Sequence, residues 1–323
     1  MAASSNETDL IRLITKNESQ QRTGPNLILG IGDDAAIIRV PEQHDLVTCT
    51  DTLVAGVHFP EGTSAYDVGW KSLAVNLSDL AAMAATPRFA QLALTLPVAN
   101  TDWLQDFMAG WSALASQYNL NLIGGDTTRG HLSITVQAMG EVMRGQALLR
   151  GRAQAGDLLV VSGELGGAAL ALQQLQAGKS VDADLLERLN RPQPRVSLGL
   201  ALSGIASSAL DLSDGLGLDL QRLLAGTELG AKIQLNQLPL ATALTTVNTQ
   251  ERYSLALSGG DDYELLFSLP AAQQARLAGI SAETNIALNV IGEVQATPGL
   301  EFLAADGAIF TPESSGYEHF KND

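Results

Sequence analysis

The sequence predicts an α/β protein, more broadly α+β, built as two domains. Three observations carry this reading. The 323 residues exceed the usual span of one domain, about 150 residues, and 46% apolar against 17% charged residues is enough to fill two cores. Short runs of β-branched and aliphatic residues, bounded by Gly, Pro or Asp, alternate with longer stretches of helical spacing. The polar, glycine-bearing segment Arg150–Asp157 (RGRAQAGD) then separates two halves just before a new strand begins.

Leu27–Ile31 reads as the first strand and Asp45–Thr50 as the second. Tyr66–Ala85 follows as a helix rich in Ala and Leu that stops before Pro87, and Thr101–Tyr118 carries aromatic and aliphatic residues at helical spacing. Taken alone, Leu122–Gly130 reads as a tight turn ahead of the strand Leu132–Met139. Beyond the boundary, Asp157–Val161 is a strand, Ala168–Gln176 is helical and closed by Gly178, and Asn190–Arg195, with two prolines, joins helices. A short apolar run, Ile205–Leu210, precedes the helical pattern Leu216–Leu224. The expected domains are therefore 1–150 and 151–323, without a repeat of fixed period or a low-complexity tail.

Composition excludes several classes of function. A formal net charge of −16 opposes binding to nucleic acid, which needs clustered Lys and Arg to displace counterions. No stretch approaches the roughly 18 apolar residues of a bilayer span, and the start MAASSNETDL lacks a basic leader, so a cytoplasmic, membrane-free protein is expected. Cys49 is the single cysteine, which rules out an internal disulfide and a thiolate zinc cage. The four histidines, His44, His58, His131 and His319, are scattered. What remains is an acidic protein suited to small anionic substrates through hard divalent cations with oxygen ligands.

Two glycine motifs mislead. Gly30–Ala36 (GIGDDAA) imitates a dinucleotide fingerprint, but Asp33 and Asp34 would face the pyrophosphate at a site meant to attract anions. Gly178-Lys179-Ser180 resembles the end of a phosphate loop, yet Gln173 stands where the earlier glycine belongs, and the preceding residues are helical.

The carboxylates say more. Thr50-Asp51-Thr52 closes the second strand, where ligands meet a sheet, although Asp51 alone would serve equally as a cap. Asn76–Asp79 (NLSD) places a charge on a helix that is apolar on most faces, so Asp79 calls for a cation, a metal or several donors. In Leu122–Gly130 (LIGGDTTRG), two glycines permit close approach of a ligand beside Asp126 and Arg129. In Asp211–Gly215 (DLSDG), Asp214 suits a helix N-cap, Ser213 can donate to a phosphate, and Asp211 and Asp214 are spaced to reach one cation across a tight turn. Ser258–Glu264 (SGGDDYE) repeats the pairing of glycines with carboxylates. A lone histidine such as His58 reads as an ordinary surface or core residue.

Taken in order, GIGDDAA, CTDTLVAGVHF, KSLAVNLSDLAAM, LIGGDTTRG, LDLSDGL and LSGGDDYEL resemble the thiamine-monophosphate kinases over nearly the whole chain. That family shares its architecture with aminoimidazole ribonucleotide synthetases and selenophosphate synthetases. The resemblance implies an N-terminal domain that binds ATP and magnesium and pairs with a second copy into a dimeric β-barrel, and a C-terminal α/β domain that closes the cleft. It implies direct in-line transfer of a phosphoryl group from ATP to thiamine monophosphate, assisted by several Mg2+ ions and giving thiamine diphosphate and ADP. Carried over by motif, the metal positions are Asp34, Cys49, Thr50, Asp51, Asp79, Asp126, Asp211 and Asp214. ATP would meet Gly125, Asp126, Arg150 and Ser213, and thiamine monophosphate would meet His58, Asp261 and Tyr317. No general base is expected, because the acceptor is already a phosphate. The chain departs from the family's usual pattern at Cys49, where Ser is usual, and at Asp261, where Glu is usual. The rival readings are another small-molecule ATP-using enzyme of the same architecture and a non-catalytic nucleotide or metal sensor.

Overall fold

The structure is a computed structural model that describes residues 7–16, 26–312, 314 and 316–320. Residues 1–6, part of the start read above as leader-free, lie outside the described residues. The chain divides into two compact units, Met1–Leu80 with Ala85–Gly145, and Ala81–Ala84 with Gln146–Asp323. No helix among the described residues is long and apolar enough to cross a membrane.

The first unit contains α1 (Glu7–Lys16), β1 (Leu27–Leu29), β2 (Ile37–Ile38), β3 (His44–Val54), α2 (Ala65–Ala82), β4 (Thr86–Leu96), α3 (Thr101–Gln117), β5 (Asn121–Arg129) and β6 (Ser133–Met143). β1 and β2 form a separate antiparallel pair, while the other strands form one sheet in the order β3-β6-β4-β5. β6 runs antiparallel to both β3 and β4, whereas β4 is parallel to β5, a pairing that needs a crossover, here made by α3. Alternation explains β6: Ile134, Val136 and Ala138 are buried between the less buried Ser133, Thr135 and Gln137.

α2 is buried on almost every side, as its Ala and Leu content demands, with Leu73, Ala74, Leu77, Leu80 and Ala81 inaccessible to water. Its contact with α3 depends on two glycines. A Cβ on Gly69 would lie 2.0 Å from the Phe107 carbonyl oxygen, and one on Gly110 would lie 1.9 Å from that of Tyr66. The helix backbones therefore touch where no side chain fits. Gly110→Ala is expected to destabilise the protein by about 3 kcal/mol, the upper end for overpacking, read as a lower midpoint of urea unfolding.

β1 ends at Leu29, short of Ile31, and β6 runs on to Met143, past Met139; three further differences from the sequence reading bear on the site. β3 continues past Thr50 to Val54, and Leu122–Gly130 is mostly strand β5 rather than a turn. At Gly125 (φ +155°) a Cβ would stand 1.9 Å from the Leu92 carbonyl oxygen, so the glycine serves the approach of β5 to β4. α2 ends at Ala82, short of Ala85, because Ala84 takes the left-handed conformation (φ 55°) and the Ala85 N–H returns to the Leu80 carbonyl. An alanine there sends no stop signal in sequence.

The second unit contains β7 (Leu158–Ser162), α4 (Gly167–Gln176), α5 (Ala183–Asn190), α6 (Val196–Leu202), β8 (Ser208–Asp211), α7 (Leu216–Leu223), β9 (Gly230–Gln234), α8 (Thr249–Ser258), β10 (Leu265–Leu269), α9 (Leu277–Thr284), β11 (Leu288–Gln295), β12 (Gly299–Leu303) and β13 (Ile309–Phe310). Its seven-stranded sheet has the order β13-β12-β9-β11-β7-β10-β8, antiparallel except between β12 and β9. Leu159, Val161, Leu210, Leu220, Leu223, Ile233, Leu266 and Ile291 fill the core between this sheet and α7. Gly178, at φ 66°, follows the end of α4 as expected, so Gly178-Lys179-Ser180 lies behind a helix and cannot cradle phosphate as a strand-to-helix loop does. The proline-bearing stretch at Asn190–Arg195 does join two helices, α5 and α6.

Candidate active site

In the first unit, GIGDDAA connects the antiparallel strands β1 and β2 and opens no helix, so the geometry of a dinucleotide loop is not formed. Asp33 and Asp34 are exposed there, and the Asp34 N–H donates to the Asp33 carboxylate at 2.8 Å.

Asp51 stands inside β3, opposite Val136, and not at a strand end. The strand runs on because Thr50 and Thr52 are β-branched, and the Thr52 hydroxyl meets that of Thr135 across the ladder at 2.8 Å. Cys49 turns its thiol toward α2, donating to the Asn76 carbonyl at 3.3 Å. The oxygen that this position offers a hard cation is thus its main-chain carbonyl. Asp79 is the one residue between Lys71 and Leu80 that is not buried, so α2 carries its carboxylate to the helix surface.

His58 follows β3 on a tight return. The Val54 N–H donates to its Nδ1 at 3.0 Å, which places the hydrogen of the neutral ring on Nε2 and leaves that nitrogen as a donor. Lys71, only 2% exposed, reaches the His58 carbonyl with its ammonium at 3.4 Å. Sequence reasoning passed over Lys71; its signal was a lone lysine in an apolar helix. Gly125 and Asp126 are both exposed on β5, with Asp126 opposite Ala93. The sheet does not bring the two acidic strands together. β3 and β5 are its opposite edges, three strand spacings or about 14 Å apart.

The second unit gathers its residues more tightly. Asp211 ends β8 and is buried. The Ser213 carbonyl accepts from the Asp261 N–H at 3.0 Å, the Asp214 carbonyl accepts from the Tyr317 N–H at 3.0 Å, and the Ser258 hydroxyl donates to the Ser314 carbonyl. A Cβ on Gly260 would sit 2.4 Å from the Ser213 carbonyl oxygen, which explains a glycine at that contact. Ser213, Asp214, Asp261 and Tyr317 therefore share one cluster of loops. Arg150 does not join it. Its turn is tied to the far ends of β8 and α7, where the Ser208 hydroxyl donates to the Leu149 carbonyl at 2.7 Å and the Gly151 N–H donates to the Leu223 carbonyl at 2.8 Å.

Asp261 and Tyr263 both adopt the left-handed conformation (φ 69° and 48°), a strain of roughly 1 kcal/mol or more each that neighbours must hold. Both oxygens of Asp262 accept the Gly166 N–H at the start of α4, at 3.0 and 3.1 Å. Glu264 is 3% exposed and accepts two hydrogen bonds from Arg195 and one from Ser162, the last at 2.5 Å. Two of the three carboxylates in SGGDDYE are thus committed to the fold.

Asp214 is not the N-cap of α7. Gly215 takes that position, and Arg222 donates instead to the Asp214 carboxylate. Asp219 accepts from Arg222 at 2.8 Å and from the Asp214 N–H at 3.0 Å. Burial lifts the Asp219 carboxyl from its ordinary 3.8 to about 6; the Asp214 N–H works against this rise, and the Asp214 and Asp211 carboxylates add to it. Sequence reasoning passed over Asp219 and Arg222, which stand one turn apart on α7. Among the described residues, no group of three His, Cys, Asp or Glu side chains is placed to hold a metal ion.

Residues 32–142 match the family described as AIR synthase related protein, N-terminal domain, and residues 154–304 match the corresponding C-terminal domain. The chain is 42% identical over 301 residues to the thiamine-monophosphate kinase of Haemophilus influenzae, covering 91% of this chain and 92% of that one. It is similar to the crystal structure of thiamine-monophosphate kinase from Stenotrophomonas maltophilia K279a, with a TM-score of 0.86 and 45% identity over 91% of this chain and 96% of that one. It is also similar to AaThiL complexed with AMPPCP and TMP, with a TM-score of 0.76 and 29% identity over 97% of each chain. With this identity over nine-tenths of its length, the chain belongs to the thiamine-monophosphate kinase family, built from the two AIR synthase related domains.

Proposed function

We propose that the protein transfers the γ-phosphoryl group of ATP directly to the phosphate of thiamine monophosphate, yielding thiamine diphosphate and ADP. The observation that carries this is the gathering of Ser213, Asp214, Asp261 and Tyr317 on one loop cluster, in a chain 42% identical to a thiamine-monophosphate kinase. The complex of AaThiL with AMPPCP and TMP supports a site that takes both ligands at once.

Each residue then has a physical task. The Nε2–H of His58 donates to the substrate phosphate and Ser213 to the phosphates of ATP, whereas Arg150, set at the other ends of β8 and α7, would meet ATP at a point away from Ser213. Gly125, exposed on β5, presents its backbone to a phosphate. Asp261 draws the positively charged thiamine, and Tyr317, with 46% of its surface exposed, offers a ring face for stacking. A phosphate acceptor is ionised at neutral pH, so the transfer needs positioning and charge compensation, not a base.

The donor set fits magnesium. Asp34, Asp51, Asp79, Asp126, Asp211 and Asp214, with oxygens at positions 49 and 50, are hard ligands. Magnesium takes one or two carboxylates and completes its shell with water and phosphate. Magnesium bound there supplies charge neutralisation between ATP and the acceptor. The domain roles follow: 1–150 for ATP and magnesium, and 151–323 for closing the cleft. Two copies pair through the first unit's sheet, whose terminal strand β3 is eleven residues long, an edge of the kind proteins cover.

The test is mass-spectrometric detection of thiamine diphosphate after incubation with ATP and thiamine monophosphate, with magnesium or with chelator. Magnesium-dependent product, absent when thiamine replaces its phosphate, is expected. ATP binding without product would overturn the proposal in favour of another ATP reaction of the same architecture.

A further inference from the structure

We infer that Arg222 is a built-in competitor for the cation site at Asp214: its guanidinium bridges Asp214 and Asp219, and a divalent cation engages Asp214 by taking it from Arg222. The inference rests on the reading of Asp214 as a metal ligand. One guanidinium nitrogen, Nη1, donates to Asp214 Oδ2 and also to Asp219 Oδ1 at 2.8 Å. The second oxygen of Asp219 accepts the Asp214 N–H at 3.0 Å, so Asp219 holds the loop backbone and the guanidinium together.

The difference in exposure shows which contact can yield. The Asp219 side chain is 2% exposed and fixed, whereas those of Asp214 and Arg222 are 24% and 38% exposed, so a hydrated cation reaches the outer contact and not the inner one. When Asp214 leaves, Arg222 keeps Asp219 as its partner and is not stranded. Until then, the bridge neutralises part of the charge on this loop, whose carbonyl groups also hold Asp261 and Tyr317. The competitor thus keeps the loop shaped before the cation arrives, and it weakens the cation's grip.

The experiment titrates manganese(II) alone into the full-length protein and follows loss of the free-ion electron paramagnetic resonance signal. Wild type is compared with Arg222→Gln, Arg222→Lys and Asp214→Asn, each also melted with and without manganese. Arg222→Gln is expected to bind about fivefold more tightly, the worth of a partly exposed ion pair, to melt lower without metal and to gain more from it. Arg222→Lys, which keeps the charge but loses the planar fork, should fall between and supports the idea even if the Gln variant fails to fold. Equal or weaker binding in a folded Arg222→Gln or Arg222→Lys, with binding lost in Asp214→Asn, would overturn the competitor role alone. Unchanged binding in Asp214→Asn would overturn the ligand reading beneath it.

Discussion

Asp126→Asn is expected to cut kcat by about a hundredfold to a thousandfold, the usual loss when one electrostatic stabiliser is removed from phosphoryl or acyl transfer, while the thermal midpoint stays at the wild-type value. The reasoning starts from position. Asp126 lies exposed on the edge strand β5, so its charge contributes nothing to the core. Its amide variant keeps the shape and loses the negative charge and one of the two acceptor oxygens that the proposed site offers magnesium. Steady-state rates at saturating ATP and thiamine monophosphate, across a magnesium series, decide the matter. A wild-type rate at high magnesium would remove Asp126 from the site.

Glu264→Ala should show the opposite pattern, a loss of stability of about 3–5 kcal/mol, as expected when one partner of a buried ion pair is deleted. Glu264 is 3% exposed, Arg195 holds both of its oxygens, and the Ser162 hydroxyl adds a third hydrogen bond and then accepts from the Leu265 N–H at 2.9 Å. Truncation leaves a guanidinium, 24% exposed, without its carboxylate, and frees a loop that holds two residues in the left-handed conformation. Denaturant unfolding measures the loss. The double variant with Arg195→Ala should be less destabilised than the sum of the single variants, because the second change removes the stranded charge. Additive losses would show that the pair acts through packing alone.

Both predictions concern carboxylates in glycine-rich motifs, yet their roles differ for reasons that sequence did not display. Asp126 and Glu264 each sit near paired glycines, and at the level of motif they looked alike. The distinction lies in partners far away in the chain: Arg195 is 69 residues from Glu264 and Ser162 is 102. The same holds for Asp214, whose expected capping role is taken by Gly215 while Arg222 binds its carboxylate. Spacing showed that Asp211 and Asp214 could share a cation. It could not show that a guanidinium from the next helix holds one of them first.

Local chemistry alone sufficed for the α/β class, for α2, α3 and α4, for the proline-bearing link between α5 and α6, and for the family, because periodicity, glycine placement and ordered motifs are properties of neighbouring residues. Three dimensions were needed to extend β3 past Asp51, to turn LIGGDTTRG from a turn into an edge strand, to bury Lys71, Asp219 and Glu264, and to separate Arg150 from the Ser213 loop. Each of those outcomes depends on strand register or on a partner distant in sequence, and the free energy that selects it appears only when the elements pack.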